Sequence, residues 1–166
     1  MERKRVFLVG FMGSGKTTVG GIVARRLGWE FLDTDEEIEK KEGMSVKDIF
    51  SRKGELYFRK LELEVLKEVS GRESVVVATG GGLGANRDAM ELMRKSGLVV
   101  WLKVSFGEFL RRCSSCSDRP LLKEGKDKLR ELMKEREKVY ALAHLKVREG
   151  PPEEQAEEIL KAISPP

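Results

Sequence analysis

Eight residues, Gly10-Phe11-Met12-Gly13-Ser14-Gly15-Lys16-Thr17, carry the most specific chemical pattern in the chain. They fit G-x-x-x-x-G-K-[ST]. A short apolar run, Val6-Phe7-Leu8-Val9, comes before them, and Val19, Ile22, Val23 and Leu27 follow at helical spacing. Glycines at these positions let the backbone curl so that its N–H groups face inward. A helix N-terminus directly behind adds positive potential, and the two together cradle phosphate. Gly13, Ser14, Gly15, Lys16, Thr17 and Thr18 are therefore candidate cofactor-binding positions. Lys16 would reach the β- and γ-phosphates of a nucleotide, and the Thr17 hydroxyl would ligate Mg²⁺.

Four further groups have types that suit a phosphate site. Asp33-Thr34-Asp35 ends a short candidate strand. Carboxylates at i and i+2 point the same way from extended backbone. One could hold Mg²⁺ through water and the other face an acceptor hydroxyl; alternatively the pair simply caps a helix. Arg59, with Glu62 one turn on, is either a fork for a substrate carboxylate or a surface ion pair. Thr79-Gly80-Gly81-Gly82 closes another strand, where missing side chains admit a ligand or merely loosen a turn. Arg119-Pro120-Leu121-Leu122 lies in a polar segment, about 114–126, between two helices; Arg111 and Arg112 precede it and Arg136 follows. Such a segment suits a lid closing over phosphates, or is a solvated loop.

These groups need a frame. Short apolar runs at 6–9, 30–33, 74–78, 99–102 and 145–147 read as strands. Between them, helical spacing predicts helices at about 15–27, from 35, 45–52, 55–69, 86–95, 106–113, 127–143 and 152–163. Alternating strands and helices give an α/β fold with a parallel sheet, whose ligands bind beyond the strands' carboxyl ends. Every candidate group sits just after a strand, on a following helix or in the predicted lid.

Composition narrows the function. The 166 residues hold 32 Lys+Arg against 28 Asp+Glu, a net charge of +4 that is too well interleaved for a nucleic-acid stripe. One histidine, His144, excludes multi-histidine metal sites, and a structural role is expected for it. Cys113 and Cys116 have C-x-x-C spacing but lie too late in the chain for a thioredoxin-type pair. Asn86 and Gln155 are the only side-chain amides, a trait of heat-adapted proteins and also of consensus or designed sequences. No apolar run nears membrane-spanning length, and no leader pattern opens the chain. A single cytoplasmic domain, without nucleic-acid or membrane partners, is expected.

The ordered set resembles the shikimate kinase family: the Gly10–Gly20 loop, Asp33-x-Asp35, Phe58-Arg59-x-x-Glu62, Gly80-Gly81-Gly82, Arg119-Pro120-Leu121-Leu122 and Arg136-x-x-x-Tyr140. The resemblance implies a three-layer sandwich with a five-stranded parallel sheet in the order 2-3-1-4-5, a substrate-binding helical region at about 33–62, and a monomer. It implies transfer of the ATP γ-phosphoryl group to the 3-hydroxyl of shikimate. Lys16, Asp35 and Arg119 would then be catalytic, with Asp35 as the candidate base. Asp35, Arg59, Gly80, Gly81, Gly82 and Arg136 would hold shikimate; Thr17 and Asp33 would organise Mg²⁺; Arg112, Arg119, Arg148 and Pro151 would border ATP. Gly21 departs from the family, which often has a larger residue there.

Overall fold

The computed structural model describes residues 4–113 and 125–163. Arg119, Cys116 and most of the predicted lid lie outside the described residues. Five parallel strands, β1 (Arg5–Val9), β2 (Glu30–Asp33), β3 (Val75–Ala78), β4 (Leu98–Leu102) and β5 (Leu145–Val147), form one sheet in the order β2-β3-β1-β4-β5. The order agrees with the expectation. The three inner strands are almost wholly apolar because both their faces are covered, whereas edge strands β2 and β5 carry Glu30, Asp33 and Lys146.

Strand alternation divides the core. Phe7, Val9, Val77, Val99 and Trp101 face one layer, and Val6, Leu8, Val76, Val100 and Leu102 face the other. Helices α1 (Lys16–Leu27) and α9 (Pro152–Ile163) cover the second face with Val19, Val23, Ala156 and Ile159. On the first face lie α2 (Thr34–Glu42), α3 (Val46–Lys53), α4 (Glu55–Ser70), α6 (Arg87–Ser96), α7 (Phe106–Cys113) and α8 (Lys126–Tyr140). The two amides are both structural. Asn86 caps α6 by accepting from the Ala89 N–H at 3.0 Å, and Gln155 donates to the Arg148 carbonyl at 2.9 Å. His144 also has a structural contact, its Nδ1 accepting from the Val99 N–H at 3.0 Å.

Two boundaries differ from expectation. A one-turn helix, α5 (Gly81–Gly84), occupies the glycine turn, where propensity argues against helix and tertiary contacts override it. Helix α8 ends at Tyr140 rather than 143, because Leu142 and Ala143 bond back to Val139 and Tyr140 in tight turns that lead into β5. The adjacent glycines of α1 are unequal. A Cβ on Gly20 would fall 2.6 Å from the Phe31 ring and 2.9 Å from Leu8, so the helix rests directly on the sheet there. Gly21 faces open space.

Candidate active site

Beyond β1 the loop turns through left-handed or extended-positive backbone at Gly10, Gly13 and Gly15, with φ of 156°, 76° and 96°. L side chains rarely adopt these angles, which explains the glycine spacing. The loop closes on itself through the Ser14 N–H donating to Phe11 O at 3.2 Å. The Ser14 hydroxyl is buried without a partner among the described residues, an orphaned polar group within the glycine loop. Lys16 Nζ lies across the loop, donating to Gly10 O at 2.6 Å and Phe11 O at 3.1 Å. Burial lowers its pKa to about 8; Asp35 and Asp33 oppose that shift, and Arg136 adds to it.

Asp33 ends β2 and uses its two oxygens separately. Oδ1 caps α2 by accepting from the N–H groups of Asp35 (2.9 Å) and Glu36 (3.3 Å), while Oδ2 accepts from Thr17 Oγ1 at 3.5 Å. The capping and the functional readings of Asp33 are thus compatible. A hydroxyl beside a carboxylate suits a hydrated divalent cation that takes its other ligands from water and phosphate. Among the described residues no three His, Cys, Asp or Glu converge on a metal-sized space; the Thr17 hydroxyl and Asp33 carboxylate are hard oxygen donors of the kind that Mg²⁺ takes. Asp35 is not on extended backbone, as the i, i+2 argument required, but in the first turn of α2. Burial, then the nearby Asp33 charge, raises its pKa above the ordinary carboxylate value, against the pull of Lys16.

The glycine turn gathers the remaining groups. None of its three glycines has positive φ, so conformational freedom does not explain them. Close approach does. A Cβ on Gly80 would lie 3.0 Å from Asp35 Oδ1; one on Gly81 would lie 2.9 Å from Arg136 Nη1; one on Gly82 would collide with the Arg59 guanidinium. Arg59 donates to Glu62 at 2.6 Å, and Glu62 is only 2% exposed, which removes the surface-pair reading. Burial raises the Glu62 pKa, opposed by Arg59. Arg59, Gly82, Ala85, Asn86, Glu135 and Arg136 line a cavity of about 320 Å³. The sequence reading missed Thr34, a fully buried residue whose Oγ1 accepts from the Gly80 N–H at 3.1 Å and ties the turn to α2. Its place between two aspartates was the available signal.

The other predicted nucleotide contacts lie on α7 and after β5. Arg112 donates to Gly13 O at 2.6 Å and to Glu108 at 2.9 Å. Hydrogen bonds from Arg111 and Arg112 pull the Glu108 pKa down to about 2. Arg148 and Pro151 follow β5, two strands from the loop, where Lys103, Ser105, Lys146, Arg148 and Glu149 line another cavity of about 320 Å³. Thr18 is exposed on the first turn of α1, and Cys113 is buried as a free thiol near Gly13.

The geometry joins the glycine loop to a turn that gathers two guanidinium groups, Arg59 and Arg136, and two carboxylates of raised pKa, Asp35 and Glu62. Such a site can bind a small anionic hydroxy acid beside a polyphosphate. A family profile described as shikimate kinase matches residues 12–164. The chain is 50% identical to a shikimate kinase of Aquifex aeolicus (strain VF5) over 96% of this chain and 95% of that one. The solved Aquifex aeolicus structure superposes with a TM-score of 0.89, again covering 96% and 95% of the two chains. A shikimate kinase from Acinetobacter baumannii in complex with shikimate superposes at 0.88, with 40% identity and 97% and 93% coverage.

Proposed function

The chain belongs to the shikimate kinase family and is an ATP-dependent kinase acting on shikimate; from that premise we propose how its own residues divide the work. Gly13, Ser14, Gly15 and Thr18 hold the nucleotide phosphates through the loop and the first turn of α1, and the buried Ser14 hydroxyl gains the partner it lacks. The Lys16 ammonium moves from the loop carbonyls to the β- and γ-phosphoryl oxygens. Thr17 and Asp33 would hold Mg²⁺, which would supply charge neutralisation to the phosphates. Arg112 borders adenine on one side and the loop around Arg148 and Pro151 on the other, with Arg119 entering from the lid.

Arg59 and Arg136 take the shikimate carboxylate, a planar anion suited to two forks. Gly80, Gly81 and Gly82 let the acid lie against backbone. Asp35 accepts the proton of the 3-hydroxyl as that oxygen bonds to the γ-phosphorus, while the bridging oxygen leaves with ADP. Its raised pKa makes it a better acceptor than a solvated carboxylate. We also place the enzyme in the cytoplasm as a monomer; among the described residues no helix is long and apolar enough to cross a membrane.

One observation carries the assignment: Asp35, Arg136 and Arg59 each take the space that a Cβ would need at a different glycine of a single turn. Coupled ADP-release assays on Arg136→Ala test it. The KM for shikimate should rise by about tenfold or more, the loss of a charged hydrogen bond, with the KM for ATP little changed. An unchanged shikimate KM would refute the carboxylate role.

A further inference from the structure

Phe11 stands inside a loop whose task is phosphate binding, yet its side chain has no part in that task. The backbone carbonyl of Phe11 serves the loop by accepting from Ser14 and Lys16. The ring turns the other way into the core and is 2% exposed. It meets Phe109 of α7 edge-on at 4.9 Å and 75°, and Phe109 meets Phe106 at 5.8 Å. From α8, Arg136 Cζ lies over the Phe11 ring at 5.7 Å and Arg130 Cζ over the Phe106 ring at 4.8 Å. A row of three aromatic rings thus runs between two cations of one helix.

Both arginines assigned to the acid lie over aromatic rings, Arg59 over Phe58 at 5.5 Å and Phe50 at 5.9 Å, but they differ in their anionic partners. Arg59 is bonded to the Glu62 carboxylate at 2.6 Å, with Glu55 at 3.7 Å. Arg136 makes no salt bridge among the described residues; its neighbours are the Phe11 ring, Gly81 and the Tyr140 phenol. A carboxylate partner would orient Arg136 but compete with an incoming anion. A ring face attracts a guanidinium electrostatically and leaves its in-plane N–H donors available.

We propose that Phe11 is a positioning residue for Arg136: its ring face holds the guanidinium toward the glycine turn without neutralising it, so that a loop built for nucleotide also sets the affinity for the acid. This rests on the reading that Arg136 binds the shikimate carboxylate.

The test must change the ring's electrostatics without changing its shape. Phe11 is replaced by mono-, di- and trifluorophenylalanine through amber suppression, and shikimate and ADP dissociation constants are measured by calorimetry. The shikimate constant should rise stepwise with fluorination, to about 3- to 10-fold in total, as expected for loss of a partly desolvated cation–ring contact. The ADP constant should stay within about twofold, since fluorination leaves the loop backbone alone. A purely structural ring would give no gradient. A flat series, while Arg136→Ala still weakens shikimate, overturns the role of Phe11 alone. Arg136→Ala without effect on shikimate overturns the carboxylate reading and this inference with it.

Discussion

Tyr140 donates its phenol hydrogen to the carbonyl oxygen of Gly81 at 2.7 Å, across 59 positions of chain. The bond pins the end of α8, one turn beyond Arg136, to the turn where the acid is proposed to lie. Burial pushes the phenol pKa far above its ordinary value, so it remains a donor throughout the working pH range. Tyr140→Phe keeps the buried ring and deletes one hydrogen bond. The expected cost is about 1 kcal/mol, seen in calorimetry as a Tm lower by roughly 2–4 °C for a chain of this size. The KM for shikimate should rise severalfold and that for ATP should not; a rise in both would mean that the bond supports the fold rather than the turn.

Asp35 is where activity and stability should oppose each other. Its pKa is raised in the folded protein, so the folded state binds its proton more tightly than the unfolded state does. Stability is then lost as pH rises from the ordinary carboxylate range through the raised value, and at neutral pH the charge is a net cost to folding. Asp35→Asn should lower kcat by about 10²–10⁴-fold and raise Tm at pH 7. The gain should fade as pH approaches about 4, where the unfolded carboxyl is itself half protonated. Equal Tm values at pH 7 would show that the carboxylate is not strained by its surroundings.

Local and distant parts of the site differed in how legible they were. The phosphate loop could be read from eight residues because positive φ at Gly13 and Gly15 is a local demand with a local solution. The strands could be read because inner strands covered on both faces are apolar without alternation. The glycine turn was placed correctly at a strand end, but its reason was not visible. Which side chain each glycine admits depends on α2, α4 and α8 arriving together, a tertiary fact that no spacing encodes. The same holds for Glu62: an i, i+3 pair looks alike in sequence whether it is solvated or 2% exposed. The i, i+2 argument for Asp33 and Asp35 failed because the strand stops between them, Asp33 capping the helix that contains Asp35.

Lys16 predicts the pH dependence of nucleotide binding. Its ammonium is destabilised by burial in the free protein, to a pKa of about 8, and bound phosphates would favour the charged form and raise it. Binding must then take up a proton wherever Lys16 starts neutral. The ADP dissociation constant should be flat below about pH 7 and rise above pH 8, approaching tenfold per unit from this group. Calorimetry at pH 8.5 in two buffers of different ionisation enthalpy should show uptake of more than half a proton per ADP. No uptake would place the folded-state pKa of Lys16 well above 8.

The two oxygens of Asp33 can be separated by mutation. Oδ1 caps α2 and Oδ2 faces the Thr17 hydroxyl. Asparagine is as good an N-cap as aspartate, so Asp33→Asn keeps the bonds to the Asp35 and Glu36 N–H groups while removing the charge. Asp33→Ala loses both functions. The Mg²⁺ concentration for half-maximal rate should rise by about 10- to 100-fold in either variant, the usual cost of losing a group that orients a metal's ligand shell. Stability should distinguish them: the alanine variant loses about 1 kcal/mol with its cap, whereas the asparagine variant keeps a Tm near that of the parent. The first turn of α2 still contains Asp35, Glu36 and Glu37 to complement its dipole, so loss of one charge there is a small perturbation. If Asp33→Asn left the Mg²⁺ requirement unchanged and only Asp33→Ala altered Tm, Asp33 would be a helix cap alone, and Thr17 would hold the cation with phosphate and water.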